Sequence, residues 1–314
     1  MFPRGTLSKN METLSSCPIC SCPVWSPFLQ CKDHTVSNAL FQIVRCDGCG
    51  FLFTNPRPPA SAIAKYYESD DYISHSGTKK DLKSRLYHLV RRYTVGRKVK
   101  LLNRLVPSPE RNRRVLDIGC GTGDFLSACQ KNGWEAYGVE PNVLARKSAE
   151  EEKGLKVMSA LSDWIPVFEQ DALKFDVICL WHVLEHIHDL QQTLKTLFSL
   201  LNPGGKVLLA LPNSASWDAQ HYQPYWAAYD LPRHLYHFQP KDVRKLAGMH
   251  SKNVLQVLPM PFDAYYVSLL SEKYARGKTS FVRSFWKGWK SNRFAAKNKE
   301  CCSSQIYVLA DPEV

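Results

Sequence analysis

Val115-Leu116-Asp117-Ile118-Gly119-Cys120-Gly121-Thr122-Gly123-Asp124-Phe125-Leu126 is a short apolar run that breaks into a glycine-rich turn and then enters a helix-like pattern. Strand, glycine turn and helix in that order make the first βα turn of a doubly wound sheet, where ligands settle at the carboxyl ends of the strands. Glycines there allow positive φ and let a ligand approach the backbone. A dinucleotide loop, G-x-G-x-x-G, would need its third glycine where Asp124 stands; this loop reads D-x-G-x-G-x-G. A pyrophosphate sits badly beside Asp117 and Asp124, whereas a cationic ligand is attracted to them. Twenty-three residues after Asp117 the next strand closes on Glu140-Pro141-Asn142, an acid placed to accept both hydroxyls of a ribose.

Outward from this loop, strand and helix signals alternate from Arg114 on. Strands are expected at 115–117, 136–140, 156–160, 175–181, 205–212, 253–260 and 304–309. The fold class expected is α/β: a Rossmann-like seven-stranded sheet with helices on both faces, preceded by a small zinc-ribbon module. The chain divides into three segments: 1–59, a cysteine-rich ribbon-like module; 60–110, a helical linker or cap; and 111–314, the main domain. Within the linker, 60–72 is expected to be a connecting helix and 81–106 an amphipathic helix ended by Pro107.

Four further stretches complete a set with the glycine loop: Gly138-Val139-Glu140-Pro141, Phe175-Asp176-Val177-Ile178, Trp181-His182-Val183-Leu184-Glu185-His186, and Leu201-Asn202-Pro203-Gly204-Gly205 come after Leu116-Asp117-Ile118-Gly119 in order. Over roughly 114–309 the set resembles the class I S-adenosylmethionine-dependent methyltransferases. The resemblance implies S-adenosylmethionine as cofactor and a sheet whose last strand is antiparallel. It implies Asp117, Gly119 and Gly121 around the methionine end, Glu140 on the ribose, and Trp181 and His182 lining the pocket. For the adenine, Asp163 is the acid on offer after the third strand.

Methyl transfer is an in-line displacement on an activated carbon, so the protein mainly aligns and desolvates. A base is needed only for an acceptor that must lose a proton. The run 225–238 packs aromatics, an acid, an arginine and two histidines into a loop after the fifth strand. It reads as a lid and substrate wall, with His234 and His237 as the candidate bases. His186, four residues after His182 on an expected helix, reads as structural. The order H-V-L-E-H is not the H-E-x-x-H of a zinc hydrolase.

Cys17-Pro18-Ile19-Cys20 and Cys46-Asp47-Gly48-Cys49 are two C-x2-C knuckles, each offering two thiolates to one tetrahedral zinc. Cys17, Cys20, Cys46 and Cys49 are the expected ligands of a structural zinc, with Cys22, Cys31 and His34 as substitutes or plain residues. A ribbon paired with this domain resembles bacterial sugar methyltransferases and polysaccharide-pathway relatives. The additional C-terminal domain of the sugar C-methyltransferases is not expected within these residues.

The chain has 314 residues, 44% of them apolar, and a net charge of +12, which excludes wholesale disorder. The charge is local. Residues 79–114 carry 13 Lys/Arg against Asp81 and Glu110, and 273–299 carry nine with no acid, so the remainder is net acidic. The second tract interleaves aromatics with its cations and reads as a solvated cap, a membrane-surface helix or a nucleic-acid face. No apolar stretch suits a signal or a spanning helix, so a cytoplasmic protein is expected, with peripheral membrane contact through 273–299. Its partner would be a small-molecule, sugar or lipid-linked acceptor, and nucleic acid is the weaker reading. The alternative from another class is a non-catalytic zinc-ribbon protein whose basic surface binds nucleic acid on a Rossmann-like body.

Overall fold

The structure, a computed structural model, describes residues 11–68, 82–107 and 112–312, without the side chains of 82–89. Eleven strands run in chain order: β1 Trp25–Lys32, β2 Leu40–Cys46, β3 Leu52–Thr54, β4 Arg113–Ile118, β5 Trp134–Val139, β6 Lys156–Met158, β7 Phe175–Trp181, β8 Leu201–Pro212, β9 Tyr236–His237, β10 Asn253–Pro259 and β11 Ser304–Ala310. Seven form one sheet in the order β10-β11-β8-β7-β4-β5-β6. All seven expected strands are there. The continuous apolar run of β7, buried from Phe175 to Leu180, fits a strand covered on both faces. β4 pairs in parallel with β5 on one side and β7 on the other. The strand order therefore reverses at β4, and its carboxyl end is the crevice where such sheets bind ligands.

Two expected elements differ. Residues 60–68 hold a single 3-10 turn, Ile63–Tyr67, rather than the start of a helix, and the rest of the expected helix, 69–72, lies outside the described residues. β8 starts at Leu201, four residues early: Gly204 takes φ 74, which lets Asn202-Pro203-Gly204-Gly205 enter the strand. The helix Leu82–Leu105 lies where a helix is expected, but its apolar residues do not gather on one face as an amphipathic helix requires, and Tyr93 is exposed. No helix among the described residues is long and apolar enough to cross a membrane.

The described chain divides into two compact units. One gathers residues from Met1–Ser76, Leu184–Thr193 and Ala210–Tyr307; the other from Gly77–Val183, Leu194–Leu209 and Val308–Val314. The first unit has its own four-stranded sheet, β1-β2-β3-β9, in which Leu52 pairs with His237 and Phe53 with Tyr236. Phe41, Ile43, Leu52, Trp226, Tyr229 and Leu231 share its core. Most of the run 225–238 is thus packed interior: Trp226, Arg233, Leu235 and Phe238 are at most 2% exposed, and only Tyr225 is open to solvent. Aromatic side chains that look like a lid in sequence instead supply the apolar area that the short ribbon lacks.

Candidate active site

In the second unit, β4 ends on Asp117-Ile118 beside the end of β7, with Asp117 opposite Cys179 and Ile118 opposite Leu180. Asp117 is buried, and its Oδ1 meets no hydrogen-bond donor among the described residues; the buried Trp181 Nε1 likewise meets no acceptor. An orphaned buried polar atom costs about 1–3 kcal/mol, a cost retained where a ligand supplies the partner. Burial pushes the Asp117 carboxyl up to about 8; Lys98 pulls it back, and Glu140 adds repulsion.

The glycine turn is open over this carboxylate. A Cβ on Gly119 (φ 72) would come within 2.6 Å of Val183 Cγ2, so packing and backbone both require glycine. A Cβ on Gly121 (φ 56) would meet nothing within 4 Å, so open space lies above that backbone. Glu140 turns back over the loop: Gly121 N–H donates to its Oε2 at 2.8 Å and Asn142 N–H to its Oε1 at 2.8 Å. Trp181 stands edge-on to Phe125 at 5.5 Å, and His182 leaves β7 at φ 58, in the left-handed region. The arrangement fits a cationic adenosyl compound: carboxylate at one end, ribose acceptor at the other, bare backbone between.

Three details correct the sequence reading. Asp124 adds no free negative charge, because Arg91 and Lys153 each reach it at 2.6 Å. Asp163 caps its own helix, accepting from Ser159 Oγ and Ala160 N–H. Lys98, unremarkable among the cations of its helix, has its Nζ 4.1 Å from the centre of the Trp181 ring. Only the fold selects Lys98 from that basic run.

The histidines belong to the first unit. His234 Nδ1 lies 2.9 Å from Ala228 O, and its Nε2 is 4.0 Å from Oε1 of the buried Glu185. His186 sits in the 3-10 turn Leu184–His186, not on a longer helix; its Nδ1 is 2.9 Å from Tyr67 Oη, and its ring meets His234 edge-on at 4.5 Å. Burial, then the His234 neighbour, pushes it down to about 4. His237 Nε2 lies 3.1 Å from Thr54 Oγ1, and burial drives it well below the usual histidine range. Glu185 is legible in the sequence only as a spacer in H-V-L-E-H.

Cys17, Cys20, Cys46 and Cys49 come together, all four sulfurs within 4.8 Å of one another. Cys17 Sγ is 3.7 Å from Cys49 Sγ, and Cys20 Sγ is 3.4 Å from Cys46 Sγ. Sulfurs on a zinc tetrahedron with ~2.3 Å bonds stand about 3.8 Å apart, so the set fits that ion. Gly50 (φ 76) shapes the second knuckle, its N–H donating to Cys46 O. Cys22 lies against Gly48 of the second knuckle but turns its thiol to Val24 O, Cys31 is buried in the core, and His34 stacks on Tyr274 at 4.3 Å; none of the three belongs to the four-sulfur set.

Comparison with known proteins agrees with the fold. A family model described as a methyltransferase domain matches residues 88–252. The ubiquinone biosynthesis O-methyltransferase of Coxiella burnetii is 32% identical over 106 residues, 33% of this chain and 45% of that protein. The enzyme of the same name from Actinobacillus pleuropneumoniae is 34% identical over 111 residues, 32% of this chain and 46% of its own length. The chain thus spans somewhat under half the length of the curated relatives it matches. Among solved structures, magnesium protoporphyrin IX methyltransferase from Synechocystis with bound SAH superposes with a TM-score of 0.50 at 15% identity, covering 80% of this chain and 98% of that one, a likeness of fold.

Proposed function

The chain belongs to the methyltransferase-domain family, and from that premise we propose that it transfers a methyl group from S-adenosylmethionine to a small-molecule acceptor. The observation that carries this reading is the pair of orphaned buried atoms at the ends of adjacent strands, Asp117 Oδ1 and Trp181 Nε1. When bound, the cofactor supplies a methyl group already activated by sulfonium. The chain's own residues bind, orient and exclude water. Asp117 receives the cationic methionine end, Glu140 takes the ribose hydroxyls, Gly119 and Gly121 leave room for both, and Trp181 and His182 wall the pocket.

Relatives named for ubiquinone biosynthesis support an oxygen nucleophile on a small molecule; a sugar hydroxyl satisfies the same chemistry. For such an acceptor His234 Nε2 is the proton acceptor: its Nδ1–H donates to Ala228 O, which orients the ring, and the Glu185 carboxylate 4.0 Å from Nε2 favours the charged form. His237, held by Thr54 inside the β3–β9 pairing, positions that segment. Cys17, Cys20, Cys46 and Cys49 hold a structural zinc, since four thiolates leave no position for water. In sequence order the chain reads as a ribbon over 1–59, a helical linker over 60–110 and the methyltransferase domain over 111–314.

Calorimetry with S-adenosylmethionine tests the core of this. Wild type is expected to bind, and Asp117→Asn to weaken binding at least a hundredfold; unchanged affinity in that variant would sink the assignment. Transfer from labelled cofactor into fractionated metabolites then identifies the acceptor.

A further inference from the structure

The helix Phe281–Lys297 carries the second basic tract, and it packs inside out. Its inward face is small: Ser284, Gly288 and Ser291 are buried. A Cβ on Gly288 would fall 2.8 Å from Tyr265 Cα, and Ser291 Oγ donates to the buried Asp218 at 2.8 Å, so this face is fixed. Its large apolar side chains point outward, Phe281, Val282, Phe285, Trp286 and Trp289 being 39–70% exposed. At about 100° per residue these five fall in one arc of about 140°. They touch one another: Phe285 meets Trp286 at 6.1 Å and Trp286 meets Trp289 at 5.6 Å.

Arg283, Lys290 and Lys297 occupy the bordering arc, Lys287 follows about 40° beyond Arg283, and 273–299 holds no acid to offset them. Beside the aromatics, Arg276, Arg283, Lys287, His221 and Trp286 line a cavity of about 330 Å³. Its one acid, Glu272, is engaged by Arg276 at 3.1 Å. Exposed aromatics cost solubility unless they meet an apolar phase, and unopposed cations select an anionic one.

We propose that Phe281–Lys297 docks on an anionic phospholipid bilayer, the aromatic arc entering the acyl boundary while Arg283 and Lys287 meet headgroup phosphates. The occupant is a lipid surface because an aromatic arc edged by cations matches the layering of such a surface, apolar beneath and anionic above.

Co-sedimentation of the full-length protein with vesicles of phosphatidylcholine and phosphatidylglycerol tests this, against vesicles of phosphatidylcholine alone. Binding is expected to the mixed vesicles, to weaken as salt is raised, and to drop roughly twenty-five-fold in Arg283→Ala/Lys287→Ala, about fivefold per cation. Phe285→Ser/Trp286→Ser is expected to abolish it, with the melting temperature lowered only by loss of the Phe285–Tyr265 ring stack. Wild-type tryptophan emission is expected to shift to the blue on the mixed vesicles, a readout that needs no variant. Equal binding to both vesicle types, or none, overturns the proposal. So does a concentration-dependent dimer lost in Phe285→Ser/Trp286→Ser, which would make a second copy the occupant. Tighter binding to a single-stranded oligonucleotide than to vesicles would assign the surface to nucleic acid. Every readout is independent of methyl transfer.

Discussion

Asp117 shows how a single carboxylate couples ligand affinity to pH. Its proton is held to about pH 8 by burial, far above the usual carboxylate range. Such a group stabilises the fold most below the unfolded pKa, near ~4, and that contribution is lost as pH rises through about 8. A cationic ligand prefers the ionised form, so the two effects oppose each other. S-adenosylmethionine affinity is therefore expected to climb from about pH 6 to about 8 and level off above, read by calorimetry at fixed salt. Asp117→Asn, which removes the buried charge, is expected to raise stability at about pH 8 by roughly 1–2 kcal/mol in urea unfolding while it removes binding. Gly121→Ala separates fold from site differently. Its Cβ meets no protein atom but requires φ 56, so about 1 kcal/mol of stability and most cofactor affinity are the expected losses. At this scale Asp117, Gly119 and Glu140 are legible in the sequence, because strand-end acids and turn glycines are local patterns. Lys98, Glu185 and the partners that neutralise Asp124 are not, since each depends on chain segments brought together by folding.

Among elements, the two-residue strand β9 has the widest effect, since it joins the ribbon's sheet to the segment bearing His234 and His237. Zinc removal is then expected to loosen more than the ribbon. A strong chelator, or Cys46→Ser, is expected to lower turnover and near-ultraviolet dichroism together, while S-adenosylmethionine affinity stays within about threefold, the cradle belonging to the other unit. A buried ionic cluster reinforces the same segment: Arg233 reaches Asp230 at 2.6 Å and Asp33 at 3.2 Å, and its Nη1 donates to Tyr66 O. Removing one member leaves the others uncompensated, so Arg233→Met is expected to cost about 3–5 kcal/mol in urea unfolding. Asp33, pressed down to about 2 by hydrogen bonds from Ser37 and by Arg233 against its burial, contributes stability above the ordinary carboxylate range that is lost as pH falls through about 2. The seven strands of the large sheet can be read from their apolar runs. β9 cannot, because two residues carry no periodicity and its pairing with β3 spans the chain from Leu52 to His237.

For the whole molecule, the sequence texture suggests three segments in a row, whereas the compact units interleave. Among the described residues the chain passes between them after Val183, Thr193, Leu209 and Tyr307. Nothing in composition marks these passages, since they fall within or beside regular elements such as β8 and β11. A fragment of 111–314 is expected to aggregate, because it exposes Trp226, Tyr229 and Leu231 where Phe41, Ile43 and Leu52 should cover them. Recovery of that fragment as a folded monomer in gel filtration would show that the ribbon is dispensable. The same interleaving bears on biosynthesis. With one passage as late as Tyr307, both units wait for β11, so neither is whole until translation has gone beyond that strand. The first three strands are made long before β9 and stay unpaired with it through the intervening synthesis, leaving a strand edge open to aggregation meanwhile.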